Sequence, residues 1–240
     1  MFGLYFDWLY ILMVLLPGVV LSGWASMMVR SRFARYSRIP ARSGMTGAQA
    51  AKVLLDRAGI HDVKIVRTRG ALSDHYNPVN KTLALSEPVF DSPSIAAIGV
   101  ATHEAGHAIQ HATGYVPLYL RSAIVPAVQF GSPIGMWGMF GGLLLMSMGA
   151  GAFGQIVFII GAIAFSLLLL FQLITLPVEF NASSRAKRLV VEAGIVSHTE
   201  RDGIDKVLNA AAMTYVAAFV SSLLTLLYFL IRSGLLSNRD

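Results

Sequence analysis

The sequence contains no cysteine among its 240 residues. This absence excludes disulfide scaffolds, thiolate zinc sites and cysteine nucleophiles. Charged residues are also scarce, at 13%, whereas a typical soluble domain has about 25%. Because hydrophobic residues make up 55% of the chain, the missing charges leave long apolar runs. Such runs are typical of membrane proteins.

Three runs longer than 20 residues contain no Asp, Glu, Lys or Arg, and they cover residues 8–29, 122–178 and 207–231. A membrane-spanning helix needs about 20 apolar residues, so the first and last runs supply one span each and the middle run supplies two. Small residues at 149–154 predict the turn between those two. The predicted spans are 6–29, 122–148, 155–176 and 207–231. We expect the first to remain as an anchor, because Asp7 and the lack of a basic residue before it are unlike a signal peptide.

Basic residues are distributed unevenly between the two sides that four spans create. Residues 30–121 and 179–206 contain 17 Lys and Arg, whereas the termini and the 149–154 turn contain two. The positive-inside rule therefore places the first two segments in the cytoplasm and both termini outside. An arginine cluster after the first span predicts a topology signal and a contact with anionic lipid, rather than with nucleic acid. Its members are Arg30, Arg32, Arg35, Arg38 and Arg42.

These patterns predict a mainly α integral membrane protein with four transmembrane helices and a small α+β cytosolic domain. In that domain we expect helices at 46–58, with Thr46 as N-cap, and from 92 or 94 to 113. Alternating side chains predict a strand at 63–68, the Thr-Leu-Ala-Leu-Ser stretch predicts a second strand at 82–86, and Asn-Pro predicts a turn at 74–78. The predicted segments are an anchor (1–29), a cytosolic domain (30–121), a transmembrane hairpin (122–178), a cytosolic helical segment (179–206) and a last span with a short tail (207–240).

The second predicted helix contains His103-Glu104-Ala105-Gly106-His107, an H-E-x-x-H motif. The spacing of four places both imidazoles on one helix face, where each can offer a nitrogen to one Zn²⁺. Glu104 lies beside the first histidine and can serve as general base on the attacking water. Residues 95–100, which precede the motif, are apolar and predict a buried helix. A buried helix needs a reason to carry two histidines and a glutamate. Metal binding provides that reason.

A catalytic zinc ion usually has three protein ligands, so the motif needs a third residue from elsewhere. His111 shares the helix face but lies about 12 Å from His103 on a straight helix, which is too far. Glu179 is the best candidate, because it is the first charged residue after the 57-residue uncharged run and follows the third span. The other candidates are His75, Glu192, His198, Asp202 and Asp205.

The stretches 100–111, with the motif, and 176–180, with Glu179, resemble the YugP-like family of bacterial membrane zinc metallopeptidases. The stretches 74–76 and 211–218 resemble that family as well, so the likeness covers nearly the whole chain. The family is similar in logic to gluzincins such as HtpX and the CAAX prenyl proteases. The resemblance implies that His103, His107 and Glu179 bind one Zn²⁺ and that Glu104 is the base. The chain departs from HtpX-type enzymes at Ser183, where they have Asp, and from many family members at Asn181.

Two further residues are candidates for the catalytic cleft. A zinc peptidase needs a donor for the oxyanion of its tetrahedral intermediate. Tyr215, early in the fourth span, can supply one, although interfacial tyrosines are also common membrane anchors. His75 precedes the predicted 82–86 strand and can line the cleft, or it is an ordinary turn residue. We expect the 82–86 strand to offer an open edge to an extended substrate.

The predicted function is zinc metalloendopeptidase activity at the cytosolic membrane face. The predicted partners are a peptide or membrane-protein substrate, the lipid bilayer and a membrane protein or second copy of the chain, without nucleic acid. One alternative is a site-2-type intramembrane protease, although Asp91 and Arg121 flank the motif helix and favour the cytosolic face. Another is a non-catalytic zinc-bearing scaffold of a membrane complex. A transporter is disfavoured, because no predicted span contains an ionisable residue in its core.

Overall fold

The computed structural model describes residues 8–70 and 72–235 of the chain. The helices are α1 (Trp8–Tyr36, π-helical over Ile11–Leu15), α2 (Gly47–Arg57), α3 (Glu87–Phe90), α4 (Ile95–Ala112), α5 (Val116–Ser147), α6 (Gly151–Glu192) and α7 (His198–Arg232). The strands are β1 (Lys64–Thr68), β2 (His75–Asn77) and β3 (Thr82–Ser86). The expectation of a mainly helical chain with a small strand-bearing part is confirmed.

The chain divides into two compact units. The helical unit contains residues 8–24, 120–175 and 215–235 of the described chain. The mixed unit contains residues 25–119, apart from 71, and 176–214. All three strands and helices α2 to α4 belong to the mixed unit. The predicted division into five sequence segments stays a prediction.

Three helices of the described chain, α1, α6 and α7, are long and apolar enough to cross a membrane. The span predicted at 122–148 lies within α5, which is not one of the three. Helix α5 contains five glycines and three prolines, of which Pro126 and Pro133 lie inside the helix. The prediction of four spans is therefore not confirmed. Residues 6–7 of the first predicted span and 236–240 of the tail lie outside the described residues.

The turn between α5 and α6 is tighter than predicted. It occupies residues 148–150, because α6 already begins at Gly151 within the predicted 149–154 turn. Gly149 adopts φ +92°, a left-handed conformation that glycine tolerates without the steric penalty of other residues. The Ala150 N–H donates to the Leu145 carbonyl at 3.0 Å, which satisfies one of the last carbonyls of α5.

Helices α5 and α6 approach each other closely in the helical unit. A Cβ atom placed on Gly138 would lie 2.8 Å from the Cα of Gly161, so neither position has room for a side chain. Met139 and Phe158 are fully buried beside this contact and form a cluster with Phe165. Small residues at such crossings are typical of helix pairs in membranes.

The sheet of the mixed unit has the order β1-β3-β2. β3 pairs in parallel with β1 and antiparallel with β2. The prediction that β3 offers an open edge is therefore wrong, because strands cover both of its sides. The turn predicted at 74–78 is also wrong over most of its length, since His75–Asn77 form β2 through the pairing of Tyr76 with Leu83. Pro78 lacks a backbone N–H and ends this strand.

Helix α4 lies at the centre of the mixed unit. It packs against α2, α3, β2 and β3, and most of its residues are buried. Ser94 caps its first turn by accepting a hydrogen bond from the Ala97 N–H at 3.2 Å. The predicted cap of α2 is confirmed, because Thr46 and Gln49 form a reciprocal capping box. The motif therefore sits on the most enclosed helix of this unit.

Candidate metal centre

Three potential ligand atoms converge between α4 and α6. The Nε2 atom of His103 lies 3.2 Å from Oε2 of Glu179, and the Nε2 atom of His107 lies 3.5 Å from the same oxygen. All three ligand atoms lie within 4.8 Å of one another. Ligands about 2.0–2.1 Å from a tetrahedral zinc ion are separated by roughly 3.4 Å. Two imidazoles and one carboxylate at these separations fit a catalytic zinc ion, and the structure brings the predicted set together.

Gly106 permits the approach of the helix that carries Glu179. A Cβ atom on Gly106 would lie 2.7 Å from the carbonyl oxygen of Ala182 and 3.3 Å from its Cα. Any larger residue would push α6 away from α4 or shift one of them. Gly106 lies inside the motif, between Glu104 and His107, so the contact acts directly on the ligand-bearing turn. Sequence reasoning did not identify this role.

Hydrogen bonds orient both imidazoles from the side opposite the ligand atoms. The Nδ1 atom of His107 lies 3.0 Å from Oε1 of Gln110, which is fully buried. The Nε2 amide of Gln110 donates to the Val178 carbonyl at 2.8 Å and to Asn181 Oδ1 at 3.0 Å. Gln110 therefore fixes one ligand ring and ties it to α6. Such outer partners set the tautomer that leaves Nε2 available for a metal.

Ser183 makes the corresponding contact with the other imidazole. Its Oγ lies 3.1 Å from Nδ1 of His103. This is the position where HtpX-type enzymes have Asp, so the departure noted in the sequence still places a hydrogen-bonding group beside the ring. The Asn181 Oδ1 atom accepts from Gln110 and also from Arg185 Nε at 2.8 Å. Both unusual residues are thus part of the hydrogen-bonded surroundings of the site.

The site is buried and rich in negative charge. Glu179 is only 2% exposed, His107 7% and Glu104 8%. Burial lowers the pKa of His107, but the hydrogen bond and charge of Glu179, helped by the charge of Glu104, raise it above its ordinary value overall. A buried carboxylate is costly unless a positive charge lies beside it. Two carboxylates around two imidazoles therefore favour a divalent cation.

The remaining candidate ligands are engaged elsewhere. His111 Nδ1 lies 2.8 Å from the hydroxyl of Tyr76, and burial raises the pKa of that hydroxyl to about 12. His75 is exposed on β2, with Nδ1 2.9 Å from the Ser73 carbonyl oxygen. Tyr215, which was predicted as an oxyanion donor and not as a ligand, belongs to the helical unit. Three acidic candidates face basic residues four positions away: Glu192 faces Arg188, Asp202 faces Lys206 and Asp205 faces Arg201.

Comparison with known proteins identifies a zinc metallopeptidase family. A family model described as "Putative neutral zinc metallopeptidase" matches residues 10–234. The chain is 48% identical over 209 residues to the "Putative membrane protease YugP" of Bacillus subtilis (strain 168). That match covers 87% of this chain and 90% of the relative. No solved structure matches the chain.

Proposed function

The chain belongs to the neutral zinc metallopeptidase family, and from that premise we propose that it is a membrane-embedded endopeptidase. The observation that carries the proposal is the convergence of His103, His107 and Glu179 on one point. These three residues would hold one Zn²⁺, in the manner of gluzincins. Bound there, Zn²⁺ would polarise a peptide carbonyl and lower the pKa of a water molecule toward about 7.

Glu104 is the general base in this proposal. It is nearly buried on α4 and one position from His103, and its charge acts on His107. Its carboxylate accepts the proton of the attacking water and later passes it to the leaving amine. Gln110 and Ser183 hold the two imidazoles in position. A scaffold would have no use for a buried carboxylate at this position, which favours catalysis.

Two residues remain candidates for contact with the substrate. His75 is exposed on β2, a strand of three residues that packs against α4. Tyr215 has a phenol that can donate a hydrogen bond to an oxyanion. We propose both as positions to test for oxyanion stabilisation. A substrate peptide would be hydrolysed at an interior bond, since the proposed activity is that of an endopeptidase.

We further propose that α5 is a fourth span and that the site faces the cytoplasm. Helix α5 packs against α6 through Gly138 and Gly161, as membrane helices with small residues do. The 17 Lys and Arg of residues 30–121 and 179–206, against two elsewhere, support the orientation. In this arrangement substrates are cytosolic peptides or cytosolic parts of membrane proteins. The site-2-type alternative would place cleavage inside the bilayer.

Substitution of Glu104 by Gln tests the proposal. Gln has nearly the same shape but cannot accept a proton, so cleavage should fall by about 10²–10⁴-fold. Zinc content should remain near one per chain, because the three proposed ligands are intact. The measurement is metal content beside cleavage of a labelled membrane-protein substrate by purified protein. Glu192→Gln, which alters an exposed ion pair on α6, is the matched control. Equal cleavage by wild type and Glu104→Gln would exclude this mechanism.

A further inference from the structure

A cavity of about 400 Å³ opens between α6 and α7 in the mixed unit. Helix α6 contributes Phe180, Ser183 and Lys187 to its wall, and α7 contributes Arg201 and Asn209. The cavity lies beside the proposed metal centre, since Ser183 belongs to both.

The wall of the cavity is basic. Three of its residues are Lys187, Arg188 and Arg201, and none is acidic. Lys187 Nζ donates to the neutral amide oxygen of Asn209 at 2.5 Å, and Asp205, which acts on its charge from α7, makes no ion pair with it among the described residues. Arg201 faces Asp205 across 3.7 Å, and its buried Nε makes no hydrogen bond. Arg188 is partly neutralised by Glu192 at 3.8 Å. Lys187 and Arg201 are therefore the groups most suited to an anion.

The cavity also has an apolar end. Phe180 lies two positions after the uncharged run 122–178, and its side chain is half exposed. Ala212, on the α7 side, lies within the uncharged run 207–231. Lys187 follows the end of the run 122–178 by a length of helix that, at 1.5 Å per residue, is roughly 13 Å. The lipid headgroup layer is about 5–8 Å deep, and a long Lys or Arg side chain can reach back into it.

We propose that this cavity binds the phosphate group of an anionic phospholipid. Lys187 and Arg201 bind the phosphate oxygens, and Phe180 packs against the first part of the acyl chains. Guanidinium and ammonium groups are the usual protein ligands of phosphate. The change from apolar to basic along one wall matches a molecule whose phosphate adjoins hydrocarbon. Free phosphate shares the headgroup chemistry but would leave the apolar end unused.

Lipid binding in this cavity acts on the neighbouring site through Ser183. Its Oγ lies 3.1 Å from Nδ1 of His103, so a lipid that contacts Ser183 also contacts the group that orients a proposed ligand. This coupling rests on the proposed function, whereas the lipid binding does not. The two are separated experimentally by measuring lipid binding with the zinc content recorded beside it.

The test uses the full chain purified in a neutral detergent. Phosphatidylglycerol and phosphatidylcholine with identical acyl chains are titrated, and bound lipid is counted by native mass spectrometry. Lys187→Gln with Arg201→Gln should weaken phosphatidylglycerol binding at least tenfold, with phosphatidylcholine binding unchanged. The matched control is Lys64→Gln with Arg69→Gln, which removes the same charge from exposed positions outside the cavity. An equal loss in both double variants, or no loss in either, would overturn the proposal.

Two further arms identify the source of the phosphate and guard against misfolding. Inorganic phosphate should displace phosphatidylglycerol only weakly, and displacement at similar concentrations would overturn the lipid assignment in favour of a soluble anion. Arg201→Lys retains the charge and should retain binding, whereas Lys187→Gln alone should already weaken it. Unchanged zinc content in these variants shows that a lost lipid site is not a lost metal centre.

Discussion

Glycines let helices touch in both units, and one contact from each unit shows how different the surroundings can be. In the mixed unit, a Cβ on Gly106 would lie 2.7 Å from the carbonyl oxygen of Ala182. In the helical unit, a Cβ on Gly138 would lie 2.8 Å from the Cα of Gly161. Hydrogen-bonded polar residues surround the first contact, whereas buried Met and Phe side chains surround the second. The same kind of close glycine contact thus adjoins the proposed metal centre in one unit and an apolar helix pair in the other.

The largest expected effect is a difference between two exposed positions, one in each unit, in the side of the membrane on which they lie. A reporter active only in the cytoplasm should give a signal when fused at Gly44, in the mixed unit, and none at Gly151, in the helical unit. The reason is the uneven distribution of Lys and Arg. A second reporter that is active only outside should give the opposite pattern. Signals from the first reporter at Gly151 alone would invert the proposed topology.

The next effect concerns the ligand that α6 supplies. Glu179→Ala should lower zinc affinity by more than the roughly 10–100-fold that loss of an outer hydrogen-bonding partner costs. It removes one of three donor atoms, and it leaves two imidazoles without the carboxylate beside them. Metal analysis after dialysis against a graded series of free zinc measures the change. Glu192→Ala, which removes an exposed carboxylate from the same helix, should keep full zinc content. The reverse pattern would show that Glu179 is not the ligand.

The core of the site could be predicted because its signals are local. The motif places His103 and His107 on one face by spacing alone. Glu179 was identified by its position as the first charge after a long apolar run. Gly106, Gln110 and Ser183 were missed in these roles, because their contacts join α4 to α6 across about 70 or more residues. No local pattern in the sequence specifies how those two helices meet.

Some elements of the fold could likewise be predicted from short-range sequence patterns, whereas others form only through contacts between distant residues. Strands β1 and β3 and the Thr46 cap follow from short-range patterns and were predicted. Strand β2 was not, because three residues become a strand only through pairing with β3. Helix α6 continues through Pro177 to Glu192, well past the predicted span end at residue 176. Hydropathy reports where a segment leaves the membrane, whereas the helix itself continues into charged sequence.

Replacing Gly106 or Gly138 by Ala adds one methyl group to each contact and tests whether the two contacts differ in their effect on zinc binding. Gly106→Ala should weaken zinc binding, because relief of the clash moves the helix that bears Glu179 away from α4. Overpacking of this kind costs about 1–3 kcal/mol, which corresponds to roughly 5–150-fold in affinity if all of it opposes binding. Gly138→Ala should lower thermal stability of the detergent-solubilised chain by a comparable free energy but leave zinc affinity unchanged. Equal zinc affinity in both variants would remove the special role given to Gly106.

The smallest expected effect comes from the hydroxyl that orients His103. Ser183→Ala removes the hydrogen bond between Oγ and Nδ1 but leaves every proposed ligand in place. Outer partners of metal ligands contribute about 10–100-fold in affinity, and a neutral hydroxyl belongs at the lower end, near tenfold. Ser184→Ala is the matched control, because Ser184 is exposed one position further along α6 and has no bond to an imidazole among the described residues. Ser183→Asp should restore or exceed wild-type zinc affinity, since a carboxylate polarises the ring more strongly than a hydroxyl does. If Ser183→Ala and Ser184→Ala bind zinc equally, Ser183 fills space at this position and does not orient the ligand.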